Sequence, residues 1–190
     1  MVDEAGPATN EAVPLVDPTT FAGIVCRRFK HPMFAFGATI DLLRSHKPFR
    51  DAPFGTYSSI VRGQIARDHY VFALSDNKII GYVGWAICEE PIAKAWTERR
   101  HAPKYNECLS GDCWVGLTYY AQSRKATFAM MGHIKRRYPG FKIYGLRRYQ
   151  DGHERFLHTG PRPKLRPSQP VGEPPGEETC SKYSVYAHPV

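Results

Sequence analysis

The chain has 190 residues, 42% hydrophobic and 13% aromatic, with a formal net charge of +8. That length holds one domain with a core and tails, and the composition excludes a disordered or collagen-like chain. No apolar run is long enough to span a bilayer as a helix.

Met1 to Thr20 is acidic, contains prolines and lacks the basic start and apolar centre of a secretory signal. It is expected to be a flexible arm. The five cysteines (Cys26, Cys88, Cys108, Cys113 and Cys180) are scattered and odd in number, which favours a reducing cytoplasm. Basic doublets at Arg27-Arg28, Arg99-Arg100, Arg136-Arg137 and Arg147-Arg148 favour an acidic partner: nucleic acid, anionic membrane or acidic protein. Charge alone does not choose among them, and solubility is the plainest explanation.

In chain order, Phe21 to Phe36 has apolar residues near helical spacing, interrupted by His31-Pro32, so a short helix is expected to end near Lys30. A second short helix covers Gly37 to Ser45 and stops at His46-Lys47-Pro48. Phe49 to Gly55 contains Pro53 and Gly55 and reads as a loop. Ile60, Val61 and Ile65 then make Tyr57 to Ala66 a helix. The clearest local signal follows: Tyr70 to Leu74 and Ile79 to Ala86 flank the polar Ser75-Asp76-Asn77-Lys78, which predicts a β-hairpin. Glu90-Pro91 ends it, and Ile92 to His101 resumes as a helix with proline near its start.

After the turn Ser110-Gly111-Asp112, the run Cys113 to Tyr120 is too short for a good helix and rich in aromatic and β-branched residues. It predicts a central strand covered on both faces. Alternation would put Trp114, Gly116, Thr118 and Tyr120 on one face and Cys113, Val115, Leu117 and Tyr119 on the other. The polar, basic Gln122-Ser123-Arg124-Lys125 leads into a helix from Ala126 to Arg137, closed by Pro139-Gly140. Phe141 to Leu146 is a further strand and Asp151-Gly152 a turn. Beyond Gly160, Pro161, Pro163, Pro167, Pro170, Pro174 and Pro175 break every pattern. The organisation is thus an arm (1–20), a domain (21–160) and an irregular Pro-rich tail (161–190). The element order predicts an α/β fold: a mixed, mostly antiparallel sheet with flanking helices, for which an N-acetyltransferase-like layout is one candidate among several.

Three segments together resemble the toxin-activating lysine acyltransferases. The first is Gln64-Ile65-Ala66-Arg67-Asp68-His69-Tyr70-Val71-Phe72-Ala73-Leu74 with Gly81-Tyr82-Val83-Gly84-Trp85-Ala86. The second is Ser110-Gly111-Asp112 with the aromatic strand and Ala121 behind it. The third is His133-Ile134-Lys135-Arg136-Arg137-Tyr138-Pro139, and Phe156-Leu157-His158-Thr159-Gly160 is similar to a late family motif. The likeness spans roughly residues 37–160, and its order and spacing carry it more than any one piece.

The resemblance implies a cytoplasmic enzyme that moves a fatty acyl group from acyl carrier protein to lysines of an RTX-like protein acceptor. The acyl-phosphopantetheine of the carrier would be the donor, with no bound cofactor or metal. Neither nucleic acid nor stable membrane insertion is expected, and a homodimer stays open. The sequence departs from the family at its chemical groups. In Lys47-Pro48-Phe49-Arg50-Asp51-Ala52-Pro53 the family's histidine is replaced by Phe49, while Arg50 and Pro53 match. Thr118 stands where the family has an aspartate, and Ala121-Gln122-Ser123-Arg124 where it has Ala-Pro-Phe-Gly.

Transfer to a lysine needs a proton acceptor. His46, one helical turn before Phe49, is the nearest substitute, although a helix-end histidine is more often simply exposed. The implied catalytic positions are therefore His46 and Thr118. Arg50, Trp85, Trp114 and Tyr120 are candidates for substrate contact, against the plainer reading that strand aromatics form core. Arg124 and Lys125 are candidates for the donor phosphate, because cations at a helix N-terminus are relieved by a bound anion. A solvated basic pair explains them equally well. Cys113 as nucleophile and zinc at Cys108, Cys113 and His101 are both disfavoured, the first for want of a nearby histidine and the second for want of a fourth ligand. The alternative is a non-catalytic paralogue that keeps the scaffold to bind acyl carrier protein or a toxin-like polypeptide.

Overall fold

The computed structural model describes residues 15–148, 154–159 and 184–185. Eight strands form one sheet: β1 (Leu15–Phe21), β2 (Ile24–Phe29), β3 (Tyr70–Ser75), β4 (Lys78–Cys88), β5 (Cys113–Ala121), β6 (Lys142–Arg148), β7 (Glu154–Thr159) and β8 (Ser184–Val185). Their order is β1-β2-β3-β4-β5-β8-β6-β7, with a second contact between β5 and β6. Every pairing is antiparallel except β5 with β6. Among the described residues, four helices flank the sheet: α1 (Pro32–Leu43), α2 (Phe54–Ala66), α3 (Glu90–Thr97) and α4 (Arg124–Arg137). The expected mixed α/β fold with a mostly antiparallel sheet is what forms.

Tyr82 and Val83 show how the layers are set. Val83 joins Val71, Trp85, Ala126, Met130 and Ile134 under α4, whereas Tyr82 joins Phe72, Leu43, Val61 and Ile65 under α1 and α2. Strand alternation sends neighbours to opposite faces, so both faces are covered. Below α1 and α2 on their side, α3 covers Ala86, Cys88, Cys113, Val115 and Leu117. β5 is accordingly buried along nearly its whole length, as expected for a central strand.

Several expectations are corrected. The helix expected before Lys30 is strand β2, whose burial alternates from Ile24 to Arg27; its β-branched start and its ladder to β3 outweigh the near-helical spacing. Pro32 opens α1 instead of interrupting it, since the first helical turn needs no amide donor there. Residues 15–20 are not part of an arm; they form most of β1. The loop expected at Phe49–Gly55 holds a 3₁₀ turn at Phe49–Asp51 and the first residues of α2. α3 ends at Thr97, short of the expected His101. The tail contributes one short strand, β8, and β7 covers a segment left unassigned by pattern. The expected turn at Asp151-Gly152, and the arm and tail outside β1 and β8, lie outside the described residues.

The alternation expected along β5 fails at one point. Gly84 is paired with Thr118 but Trp85 with Gly116, so Leu117 is an extra residue on β5, a β-bulge. Trp114 faces α4, yet Thr118 and Tyr120 face the α1–α2 side, and Tyr119 and Ala121 turn toward α4. After Val115, β6 parts from β5 and β8 fills the space between them. β5 and β6 pair only from Cys113–Lys142 to Val115–Tyr144. Further along, Ser184 and Val185 lie between the two strands, opposite Tyr120 and Tyr119 on β5 and Arg148 on β6.

Candidate functional site

His46 reaches the end of β5. The chain leaves α1 at Leu43 in a tight turn, in which the His46 amide donates to the Leu43 carbonyl and the His46 carbonyl accepts from Arg50. This turn stacks the imidazole on the ring of Tyr120, with centroids 4.2 Å apart and planes 24° from parallel. Tyr120 lies past the bulge, where β6 has left β5. Burial lowers the His46 pKa below its ordinary value and raises that of the Tyr120 phenol. Desolvation disfavours the charged form in both cases. At neutral pH the pair is therefore an uncharged imidazole, able to accept a proton, against a protonated phenol.

α4 starts just beyond this point. Ser123 caps it, its hydroxyl accepting from the Ala126 amide at 3.2 Å. The helix begins at Arg124, two residues earlier than expected, so Arg124 and Lys125 occupy its first turn with no acidic residue among them. Both are exposed, and the Arg124 guanidinium lies 5.4 Å from the centre of the Phe128 ring. At this end of the sheet His46 and Tyr120 thus lie on the α1–α2 face, and Arg124 and Lys125 start the helix that covers the opposite face.

The other expected residues are elsewhere. Trp85 and Trp114 are buried core under α4, 6.1 Å apart, and Trp85 donates to the Tyr138 hydroxyl at 3.3 Å. Arg50 is exposed and pairs with Asp51 at 3.0 Å. Phe49 is buried, its ring 5.4 Å from Tyr57. Thr118 does not reach solvent: its hydroxyl accepts from the Gln64 amide at 2.9 Å, and the Gln64 carbonyl accepts from the Tyr82 hydroxyl at 2.9 Å. Cys113 is buried and donates to Asp112, and burial together with that carboxylate raises its pKa to about 12. A thiol so held is a poor nucleophile. His101 bonds Glu107 at 2.6 Å, and no group of His, Cys, Asp or Glu among the described residues could hold a metal ion.

Gln64 opens the first resembling segment, but the sequence assigns it no role. It is fully buried with Tyr57, Val61 and Ile65 on the inner face of α2. A polar side chain inside an apolar stripe of a helix was the available signal, because a buried amide requires partners. His69 was noticed only within a motif. Its ring stacks on Trp85 at 6.1 Å, and burial, with Arg67, Arg137 and Arg28 nearby, lowers its pKa to about 4.

Neither a family model nor a curated protein matches this chain. Among the described residues, no helix is long and apolar enough to cross a membrane.

Proposed function

We propose that the chain is a protein-lysine acyltransferase of the toxin-activating kind, built on an N-acetyltransferase-like sheet. It would take a fatty acyl group from the phosphopantetheine of acyl carrier protein and pass it to a lysine of an RTX-like acceptor in the cytoplasm. The observation that carries this reading is the neutral His46 stacked on Tyr120 beside the parting of β5 and β6. Ser184 and Val185 occupy that parting, paired with Tyr120 and Tyr119 on β5 and with Arg148 on β6, so a donor pantetheine arm would have to lie beside this ladder. Arg124 and Lys125 at the head of α4 suit its phosphate.

In the proposed step the neutral lysine amine attacks the thioester carbonyl. The N–C bond forms as His46 takes the amine proton, the C–S bond breaks, and the proton passes to the leaving sulfur. The products are an amide and the free pantetheine thiol. A second reading, the non-catalytic paralogue, is favoured by Phe49 and Thr118, which put core packing at the two positions where the resembling family has its histidine and aspartate. Incubating the protein with acylated carrier protein and an RTX-like acceptor, then weighing the acceptor intact, separates the two. A mass gain of one acyl group per modified lysine supports the enzyme; carrier binding without any gain supports the paralogue.

A further inference from the structure

α4 carries Arg124, Lys125, Lys135, Arg136 and Arg137 and no acidic residue. Its buried side consists of Ala126, Ala129, Met130, His133 and Ile134. Opposite that side, Arg124, Phe128, Met131 and Lys135 follow one another at i, i+4, i+7 and i+11, one line along the outer face. Phe128 is 52% exposed although large and apolar, and Met131 is half-buried at the edge of the core. Among the described residues, no carboxylate pairs with Arg124, Lys125, Lys135 or Arg136. The line is therefore basic at both ends and apolar in the middle, and about 16 Å long at the rise of an α-helix.

We infer that this outer face of α4 docks an acidic amphipathic helix of a protein partner, apolar at its centre and carboxylate-bearing at both ends. Two features select that partner. A nucleic-acid backbone presents phosphates continuously, and the Phe128–Met131 centre offers them no cation. A membrane surface asks for a broad apolar face, whereas this one is a single row. A partner helix laid along α4 meets the row with its own apolar centre, and the charged ends set its register and speed encounter. That the partner is the acyl carrier rests on the function proposed above. α4 covers the face of the sheet opposite His46, so the acyl arm of a carrier docked on it would have to round the end of β5 to reach the imidazole.

The test is a titration of the full chain with unacylated acyl carrier protein, at low and high salt, about 0.05 and 0.5 M. Lys135→Glu and Phe128→Ala should each weaken binding at low salt at least about tenfold, the size of a hot-spot loss. High salt should erase most of the Lys135→Glu effect and leave that of Phe128→Ala. Arg62→Glu on exposed α2 is the control, changing affinity less than about twofold. Melting curves verify that the variants fold. Wild-type binding that both α4 variants share would overturn the docking face and leave the donor assignment standing. Binding lost in both variants, with no acyl transfer by the wild type, would keep the docking face and sink the transfer reading. Wild type that ignores the carrier but binds short RNA or anionic vesicles overturns the inference outright.

Discussion

Gly84→Ala probes the closed network of Gln64, Thr118 and Tyr82. A Cβ on residue 84 would lie 2.0 Å from Gln64 Oε1 and 2.3 Å from its Cδ, so the amide must move away. Moving it breaks the bonds to Thr118 and Tyr82, each 2.9 Å long. Overpacking costs roughly 1–3 kcal/mol, and each buried polar group left unsatisfied costs a similar amount, so with Thr118 and Tyr82 both losing the amide the total should be at least about 3 kcal/mol. Gly145→Ala, where an added Cβ meets nothing within 4 Å, is the matched control and should cost under about 1 kcal/mol. Urea titration followed by tryptophan fluorescence reads the midpoint, with the slope unchanged if unfolding stays cooperative. Adding Gln64→Ala removes the clashing amide, so the double variant should fall short of additivity by at least about 1.5 kcal/mol. A loss below about 1 kcal/mol for Gly84→Ala, or strict additivity, would refute the network as described.

Two further outcomes follow from the same contacts. Phe49→His should lower the melting temperature markedly without creating or raising activity, because it puts an imidazole into the core beside Tyr57; an activity gain would refute the buried placement. Acid should destabilise the fold in two stages. The His69 imidazole titrates near its ordinary 6.5 when unfolded and at about 4 when folded, so its contribution is complete above 6.5 and is lost as pH falls through about 4. Glu90, held by Lys142 and Lys94, is depressed from 4.5 to about 2, and its contribution is lost between those values. Melting curves across pH should therefore flatten above pH 4 in His69→Phe and below pH 4.5 in Glu90→Gln; variants that track the wild type at every pH would contradict this.

Local signals reached far in this chain, and they failed where distant strands decide. The hairpin of β3 and β4 and the helix α4 were legible because turn residues, alternation and a Pro-Gly stop agree there; Asp76 and Asn77 hold the left-handed backbone such a turn needs. β2 was illegible because six residues of mixed spacing become a strand only on pairing with β3. The bulge at Leu117 leaves no mark in composition, and it redirected Thr118 and Tyr120 to the opposite face from Trp114. His46 was nameable from its distance to Phe49, but the turn after α1 sends Phe49 inward and His46 onto Tyr120. Gln64 belongs to a helix whose inner face could be read, while its partners on β4 and β5 could not.

In the proposed acyl transfer, the amine proton passes to His46 at the end of β5. The most direct test of this step is the initial rate of acyl transfer, read by intact mass of the acceptor, for wild type and His46→Ala. Removing a general base should slow transfer by roughly a hundredfold or more. The acid limb of the wild-type pH profile should lie below the ordinary imidazole value, because burial lowers the His46 pKa. Transfer at an unchanged rate in His46→Ala would contradict the account.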